Sequence, residues 1–241
     1  AVKALLLANR PDGELPLKGL AVLVTAGPTQ EPLDPVRFLT NHSTGKMGYA
    51  LAEQARDLGA QVTLVSGPVA LDAPYGVDVV DVTTARDMFD AVTNRFADTD
   101  ITVMAAAVGD FRPVEQARDK IKKNGRSGIE LELTSNPDIL AWAGEHKRPD
   151  QTLCGFAMET RDLEANAAKK LNDKHCDMLV ANNLRTPGAG FAADTNVVTV
   201  LTPGETADRP SIERWSKMGK DALAKRILVK LAAMRADGER R

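Results

Sequence analysis

Three polar segments of the sequence carry side chains that could bind a phosphorylated ligand. The first, 27–48, contains Asn-His-Ser-Thr-Gly-Lys at positions 41–46 and ends where a helical pattern begins. Free N–H groups at a helix N-terminus favour anions. The segment is not a P-loop, because the first glycine and the hydroxyl residue after the lysine are both missing. An anion site that uses Ser43, Thr44 and Gly45, and an ordinary helix start capped by Ser43 or Thr44, both remain open.

Two other side chains of this segment suit a charged ligand. Arg37 has a guanidinium that can clamp a phosphate or carboxylate through two hydrogen bonds, or that can lie on the surface as an ordinary arginine. Asn41 has an amide that can donate hydrogen bonds to a charged acyl or phosphoryl intermediate, or that can support a turn. His42 has no carboxylate in an evident relation to it, so a structural role is favoured over that of a base.

The second segment, 109–128, follows the most continuous apolar run of the chain, Ile101–Val108. Asp110 therefore stands where nucleotide-binding folds place a carboxylate for a ribose or a metal. Lys-Ile-Lys-Lys at 120–123 brings three positive charges, which suit a triphosphate and its pyrophosphate leaving group. A solvated run of charge is the alternative. The cluster is too short to bind duplex DNA.

The third segment begins at Gly155-Phe156 and is followed by Lys170 and Lys174, whose spacing puts both lysines on one helix face. The lysines could grip a phosphate while Phe156 packs on a base or ribose. From the residues alone, a core phenylalanine and two solvated lysines are favoured. The histidines and cysteines show no spacing typical of metal ligands, so any Mg²⁺ is expected to arrive with a nucleotide.

Length and composition exclude several classes of protein. The 241 residues carry 31 Lys plus Arg and 33 Asp plus Glu, for a formal charge of −2. This balance is typical of one ordinary domain and argues against nucleic-acid binding through phosphate neutralisation. The apolar runs are far shorter than the roughly 18 residues of a membrane span. Cys154 and Cys176 form neither a disulfide framework nor a CxxC motif, so a reduced, cytoplasmic setting is expected.

The elements that must position these segments alternate between strand and helix. This rhythm predicts an α/β fold with a mostly parallel sheet, helices on both faces, and a ligand site beyond the carboxyl ends of the strands. The predicted strands are 21–26, 61–66, 77–82, 101–108, 129–133, 152–157, 178–181 and 196–201. The predicted helices are 46–58, 85–96 with Thr84 as N-cap, 137–144 with Asn136 as cap, 162–173 and 216–234.

The chain opens without Met, and its start lacks the pattern of a signal peptide. Residues 1–9 resemble the end of a helix, which Pro11-Asp12-Gly13 breaks. We therefore expect 1–16 to be a linker from a preceding domain and 17–241 to be a single domain. A chain shortened by design would show the same pattern.

Several motifs occur together in a fixed order: TAGPTQEPLDPVRFLTNHSTGKMG, AAAVGDFRP, KIKK, LTSNPDIL, GFAMET and LVANN. Together they resemble the phosphopantothenoylcysteine synthetases of the bacterial, CTP-using type, over about residues 17–235. That module often follows a flavin-dependent phosphopantothenoylcysteine decarboxylase in one bifunctional chain. The resemblance implies a Rossmann-like three-layer sandwich, a cytoplasmic homodimer, and Mg²⁺ bound through the phosphates of CTP.

The resemblance also implies a two-step reaction in coenzyme A biosynthesis. The carboxylate of 4′-phosphopantothenate attacks the α-phosphate of CTP, which gives an acyl-cytidylate and pyrophosphate. The amine of cysteine then attacks the acyl carbon and releases CMP. Asn41 matches the residue that stabilises the acyl-cytidylate, and Arg37 and Ala107 match positions tied to its formation or turnover. Lys120 and Asp110 match contacts to the triphosphate and the nucleoside of CTP.

Further positions match CTP contacts of the same family. They are Met104, Ala105, Ala106, Ile139, Leu140, Ala141, Trp142, Phe156, Lys170 and Lys174. Trp142 is bulky for a helix start beside a nucleotide, so a place in the core is its alternative.

Two other functions stay open. A nucleotide-binding oxidoreductase on a Rossmann-like sheet would be expected to carry GxGxxG and an acidic residue after the second strand, and the sequence has neither. A non-catalytic dimerisation module would have little use for the basic cluster at 120–123 beside Asp110.

Overall fold

The computed structural model describes residues 15–123, 125, 127–159, 162–183, 194–206 and 209–238. Nearly all of the predicted linker and most of 184–195 lie outside these ranges, so the linker stays a prediction. The strands are β1 Ala21–Ala26, β2 Gln30–Pro32, β3 Phe38–Thr40, β4 Gln61–Ser66, β5 Asp78–Asp81, β6 Ile101–Met104, β7 Phe111–Pro113, β8 Leu133–Ser135, β9 Thr152–Glu159, β10 Met178–Asn183, β11 Thr195–Thr206 and β12 Arg209–Gly219. The helices are α1 Lys46–Asp57, α2 Ala85–Phe96, α3 Ile139–His146, α4 Leu163–Asp173 and α5 Lys220–Gly238.

Eight strands form the central sheet, in the order β12-β11-β10-β9-β6-β1-β4-β5. The six strands from β10 to β5 are parallel, whereas β11 and β12 add an antiparallel hairpin at one edge. The chain builds outward from β1 through β4 to β5 and then returns to β6 on the other side of β1. Such a reversal opens a crevice between the two loops at the carboxyl ends of the strands. The predicted α/β three-layer class is confirmed.

Helices cover both faces of the sheet. Leu51 of α1 and Leu228 of α5 pack in one core, and Val92 of α2 and Leu171 of α4 pack in the other. The neighbouring residues Leu23 and Val24 enter opposite cores because side chains alternate along a strand. A sheet buried on both faces explains why its strands read as continuous apolar runs.

Local signals predicted some helix starts correctly. Thr84 is the N-cap of α2, as expected: its hydroxyl accepts from the Asp87 N–H at 3.1 Å, and the Asp87 carboxylate accepts from the Thr84 N–H at 2.9 Å. The N-cap predicted for α3 was wrong. This helix begins at Ile139, and its N-cap is Asp138, which accepts from the Ala141 N–H at 2.9 Å, instead of Asn136.

Strand boundaries differ from the predictions where pairing is distant in sequence. The strand predicted at 129–133 begins only at Leu133, because Leu133–Ser135 pairs with Phe111–Pro113 in a separate two-stranded sheet. The apolar run at 101–108 leaves the sheet after Met104. The predicted helix 216–234 begins only at Lys220, since the residues before it form β12. None of the described helices is long and apolar enough to cross a membrane.

Candidate active site

The loops that follow β1 and β6 are joined by backbone hydrogen bonds. The Ala107 N–H donates to the Gly27 carbonyl at 2.8 Å, and the Thr29 N–H donates to the Ala107 carbonyl at 3.3 Å. The Thr29 hydroxyl accepts from the Gly109 N–H at 2.9 Å. These bonds continue the pairing of the two strands past their ends and hold the Ala105–Asp110 backbone in place.

Asn41 is attached to the same backbone. Its amide nitrogen Nδ2 donates to the Val108 carbonyl at 2.9 Å and approaches the Ala107 carbonyl at 3.5 Å. The preceding residue is also fixed, because the Thr40 hydroxyl donates to the Thr29 carbonyl at 2.7 Å. The structure therefore brings together Asn41 and Ala107, which the resemblance assigned to the acyl intermediate.

The start of α1 packs closely against the end of β1. Gly45 has φ +74, which favours glycine, and a Cβ at Gly48 would lie 2.5 Å from the Ala26 Cβ. Gly45 itself is the N-cap, and no hydrogen bond from a described side chain caps the helix. The alternative of Ser43 or Thr44 as N-cap was therefore wrong. An N-terminus without such a cap remains suited to an anion.

A cavity of about 480 Å³ lies in front of this helix start. We call it the anion-loop cavity. Its wall consists of the loop before α1, the loop after β6, the end of β9, and side chains from α4, β10, β11 and α5. The lining residues are 41–48, 105–108, Asp110, 156–158, Lys170, Asn182, Asn196 and Lys220.

A second cavity of about 450 Å³ adjoins the first, and we call it the α3 cavity. Met104, Ile139 and Leu140 are among its lining residues, together with Lys174. The two cavities have five lining residues in common: Ala106, Val108, Asp110, Phe156 and Lys170. The shared wall lies at the switch point of the sheet, where the sequence predicted a ligand site.

Two lysines line the α3 cavity, as their spacing suggested. Lys170 donates to the Phe156 carbonyl at 3.0 Å, and Lys174 pairs with Asp138 at 2.8 Å. The hydrogen bond that Lys174 donates to Asp138 raises the pKa of Lys174. Burial opposes ionisation of Asp138, but the hydrogen bonds from Lys174 and the Ala141 N–H outweigh it and lower the pKa of the carboxyl. The favoured prediction of two merely solvated lysines was therefore wrong.

Asn136 is a site residue that the sequence reasoning missed. Its Nδ2 donates to the Gly109 carbonyl at 2.8 Å, and its backbone N–H donates to the Asp110 carbonyl at 2.8 Å. Its Oδ1 accepts from Arg112 at 3.2 Å. Asn136 thus fixes the backbone on both sides of the Gly109–Asp110 peptide. The Asn-Pro dipeptide was the available signal, and it was interpreted as a helix cap.

Arg37 and Lys120 line neither cavity. Arg37 pairs with the buried Asp34 at 2.5 Å and donates to the Ile121 carbonyl at 2.6 Å. Asp34 also accepts from the Ile121 N–H at 3.0 Å. The hydrogen bond from Arg37 is the main reason that the pKa of Asp34 lies well below its usual range. The Asp34–Arg37 ion pair therefore anchors the basic segment 120–123 through the backbone of Ile121, while the Lys120 side chain is exposed.

Ala141 and Trp142 also lie outside both cavities. The Trp142 ring packs edge-on against Phe89 and Phe96, with centroids 5.8 and 5.5 Å apart, and stacks on His146 at 4.3 Å. These contacts agree with the alternative prediction that Trp142, because it is bulky, packs in the core instead of against a nucleotide. The other predicted contacts line one cavity or both: Asn41, Ser43, Thr44, Gly45, Met104, Ala105, Ala106, Ala107, Asp110, Ile139, Leu140, Phe156, Lys170 and Lys174.

Lysines outnumber carboxylates among the residues that line the anion-loop cavity. The described residues contain no cluster of three or more His, Cys, Asp or Glu. Asp110 is the one acidic side chain among the described residues that line the anion-loop cavity. Cys154 and Cys176 are buried and free, and burial raises the pKa of the Cys176 thiol to about 12. Neither thiol is therefore suited to act as a nucleophile.

Known proteins resemble this chain in sequence and in fold. The protein named coenzyme A biosynthesis bifunctional protein CoaBC from Bacillus subtilis (strain 168) is 52% identical over 187 residues, which are 77% of this chain and 46% of that protein. A protein named cysteine/cysteine sulfinic acid decarboxylase, from an unknown prokaryotic organism, is 42% identical over 88% of this chain and 59% of its own. The chain thus spans about half the length of these relatives.

A solved structure matches almost end to end. The crystal structure of the C-terminal domain of coenzyme A biosynthesis bifunctional protein CoaBC superposes with a TM-score of 0.77, at 39% identity, over 92% of this chain and 99% of that one. The model of the DNA/pantothenate metabolism flavoprotein C-terminal domain matches residues 17–234. This match covers the central sheet, both loops of the crevice and α3 to α5. The chain therefore belongs to the DNA/pantothenate metabolism flavoprotein C-terminal domain family.

Proposed function

We propose that this chain ligates cysteine to 4′-phosphopantothenate at the expense of CTP. The first step forms 4′-phosphopantothenoyl-cytidylate and pyrophosphate, and the second forms phosphopantothenoylcysteine and CMP. The proposal places the protein in coenzyme A biosynthesis, as the names of its relatives suggest. The observation that carries it is the pair of adjoining cavities at the switch point, which share Asp110, Phe156 and Lys170.

The two cavities suit the two halves of an acyl-cytidylate. The α3 cavity offers apolar side chains for a base and the ammonium groups of Lys170 and Lys174 for phosphates. The anion-loop cavity offers the start of α1 and the Asn41 amide, which suit the reacting acyl and phosphoryl groups. The shared wall at Asp110 and Phe156 is where the two halves would meet.

The proposed reaction requires the protein mainly to position the reactants and to neutralise the charge of the phosphates. Transfer of a nucleotidyl group to a carboxylate needs aligned reactants and neutralised phosphates, and it needs no covalent side chain. Asn41 is held within 2.9 Å of the Val108 carbonyl, so its position is preset before a ligand arrives. Mg²⁺ would be held mainly by the phosphates of CTP and would neutralise their charge, and Asp110 is the carboxylate that borders both cavities.

A homodimer is part of the proposal, because the exposed apolar side chains of the small sheets β2–β3 and β7–β8 need cover. Phe38, Phe111 and Leu133 are 46%, 54% and 43% exposed on these sheets. A second copy docked there would also give a role to Lys120, which lies outside the cavities of its own chain. Lys120 would then contact the triphosphate bound by the partner, and this contact would account for the triphosphate role that the resemblance implies for Lys120.

A flavin-dependent decarboxylase domain is the proposed N-terminal neighbour, since the relatives named CoaBC are bifunctional and longer. We propose a cytoplasmic protein with no nucleic-acid or membrane partner, in line with the charge of −2. The name of the second relative suggests a decarboxylase. However, this chain covers only 59% of that relative, so that activity is not assigned to this chain.

The decisive experiment supplies CTP, Mg²⁺, 4′-phosphopantothenate and cysteine, and follows pyrophosphate. We expect release that depends on CTP and on the acid, with CMP and the amide formed in equal amounts. Release with ATP but not with CTP would contradict the nucleotide assignment. Release with neither nucleotide would contradict the ligase and return attention to the oxidoreductase or the non-catalytic dimerisation module.

A further inference from the structure

The basic segment 120–123 is placed by a connection to a distant part of the chain. Residues 114–123 lie on the surface, and only two of them, Ala117 and Ile121, are partly buried. These are also the two residues through which this stretch is bonded to the turn 33–37 between β2 and β3, which we call the hairpin turn. The position of the lysines therefore depends on residues 84 and 87 positions earlier in the chain than Ile121.

Asp34 lies at the centre of this connection. The Ala117 N–H donates to the Leu33 carbonyl at 3.0 Å. The Ile121 N–H donates to the Asp34 carboxylate at 3.0 Å. Arg37 donates to the Ile121 carbonyl at 2.6 Å and to the same carboxylate at 2.5 and 3.0 Å. Asp34 and Arg37 therefore hold the backbone of Ile121 at its N–H and at its carbonyl.

The two carboxylate oxygens of Asp34 have different partners. Oδ1 accepts from the N–H groups of Val36 and Arg37, both at 2.8 Å, and so closes the hairpin turn. Oδ2 accepts from the Arg37 guanidinium and from the Ile121 N–H. The hydrogen bond from Arg37 is the largest reason that the pKa of the carboxyl lies well below its usual range, so Asp34 is charged at neutral pH. A change confined to Oδ2 would therefore release the basic segment and leave the turn closed.

The same hairpin leads into Asn41. Strand β3 ends at Thr40, whose hydroxyl donates to the Thr29 carbonyl at 2.7 Å, and Asn41 follows with its bond to the Val108 carbonyl. The hairpin is thus fixed to the crevice at one end and bonded to the basic segment at its turn. Lys120 therefore has a defined position relative to β2–β3 and β7–β8, the small sheets on which a second copy is proposed to dock.

We propose that Asp34 is a positioning residue for the ligase reaction and that it holds Lys120, through the Ile121 backbone, where this lysine contacts the triphosphate. The inference rests on the proposed function, in which Lys120 of one copy contacts the CTP bound by the other. Fixing the backbone beside an exposed lysine lowers the entropy that is lost when the ammonium group binds a phosphate. The Asp34 side chain is fully buried, so it acts through this backbone and does not itself contact a nucleotide.

Asp34→Asn in the 241-residue chain tests this connection. With its oxygen at the Oδ1 position, the new amide still closes the hairpin turn. Its NH2 group then replaces Oδ2 and faces the Arg37 guanidinium and the Ile121 N–H, which are donors as well. Asp90→Asn makes the same change at an exposed position of α2 and is the matched control. Arg37→Gln removes the other half of the connection from a side chain that is 45% exposed, and it serves as the second variant if Asp34→Asn does not fold.

Limited digestion with trypsin measures the connection without any substrate. Trypsin cleaves after lysine, and the fragment masses identify cleavage at positions 120, 122 and 123. We expect initial cleavage at these positions to be about tenfold faster in Asp34→Asn than in wild type, because charge-assisted hydrogen bonds that hold the segment are lost. Arg37→Gln should change the rate in the same direction, and Asp90→Asn should match wild type. Equal cleavage of Asp34→Asn and wild type would mean that Asp34 does not hold the segment.

The first step of the reaction shows whether the connection acts through Lys120. This step is measured as pyrophosphate formed from CTP and 4′-phosphopantothenate without an amine. We expect Asp34→Asn to slow it by about tenfold. In a chain that already carries Lys120→Gln, the same change should slow it by about twofold or less, because the group that Asp34 positions is already gone.

Other results would overturn the inference. Losses of equal size in the wild-type and Lys120→Gln backgrounds would mean that Asp34 acts on the structure as a whole and not through Lys120. Faster cleavage of Asp34→Asn with first-step pyrophosphate at the wild-type rate would mean that the reaction does not need the connection. Absence of first-step pyrophosphate in the unmodified chain would count against the proposed ligase itself, which is a separate outcome that leaves the trypsin result unaffected.

Discussion

Asn136 offers a sharp test of how the site is positioned. Its side chain makes two hydrogen bonds, one to the Gly109 carbonyl at 2.8 Å and one from Arg112 at 3.2 Å. Replacement by Ala removes both and leaves a partly buried carbonyl without its donor. At about 1 kcal/mol for each bond, Asn136→Ala should destabilise the fold by about 2 kcal/mol. For a chain of this size that is a fall in Tm of about 4–8 °C.

We expect Asn136→Ala to change the KM for CTP. The Asn136 side chain holds the carbonyl of Gly109, which directly precedes Asp110, and Asp110 borders both cavities. If half of the lost free energy reports on the placement of Asp110, KM for CTP should rise about fivefold, since tenfold corresponds to about 1.4 kcal/mol. Steady-state pyrophosphate release and a thermal melt measure both effects.

Two matched variants complete this test. Asn136→Asp keeps the acceptor for Arg112 but loses the donor to Gly109, so it isolates the bond that fixes the site backbone. Asn94→Ala makes the same truncation at an exposed position of α2 and should leave Tm and KM unchanged. A fall in Tm for Asn136→Ala with KM for CTP at the wild-type value would refute the link between this side chain and the nucleotide.

Four further substitutions test other parts of the site. Asn41→Asp should cut acyl-cytidylate turnover by about 100-fold with little change in Tm, because it removes a donor from an exposed side chain; turnover near wild type would contradict its role. Lys120→Gln should lower kcat with CTP, and an unchanged rate would exclude the triphosphate contact. Gly48→Ala should lose about 1–3 kcal/mol in a denaturant melt, since its Cβ would lie 2.5 Å from the Ala26 Cβ. Asp138→Asn keeps the N-cap but removes the charge that faces Lys174. The pKa of Asp138 is lowered from 3.8 in the fold, so the charged carboxyl stabilises the folded state. Wild type should therefore have a higher Tm than this variant at pH 7, and the difference should disappear as the pH falls below about 4.

Local sequence signals predicted the fold class and the position of the crevice. Buried parallel strands read as apolar runs, and helix starts such as Thr84 carry a capping box, so these elements depend on residues close in the chain. The switch-point rule then placed the ligand site after β1 and β6, where both cavities lie. Asn41 and Asp110 were identified on that basis together with the motifs.

Distant pairings were what the sequence could not predict. The regular strand in the run at 101–108 ends at Met104, and beyond it only an isolated bridge joins Ala107 to Pro28, about 80 residues away. Arg37 suited an anion clamp by type and by position in a loop. Its guanidinium is instead engaged by Asp34 and the Ile121 carbonyl, and the second of these lies 84 residues further along the chain. No local pattern reports such a partner.

The most consequential of these misses concerns the start of α5. A helix that began at 216 would place Lys220 in its second turn, with no fixed relation to the sheet. In the structure, β11 runs antiparallel to β10, so the beginning of β11 and Asn196 lie beside the end of β10 and Asn182. Strand β12 then runs back, and its last residue Gly219 pairs with Thr195, which delivers Lys220 to the same edge. The antiparallel hairpin therefore closes the anion-loop cavity on a side that parallel strands alone would leave open, since Asn182, Asn196 and Lys220 all line that cavity.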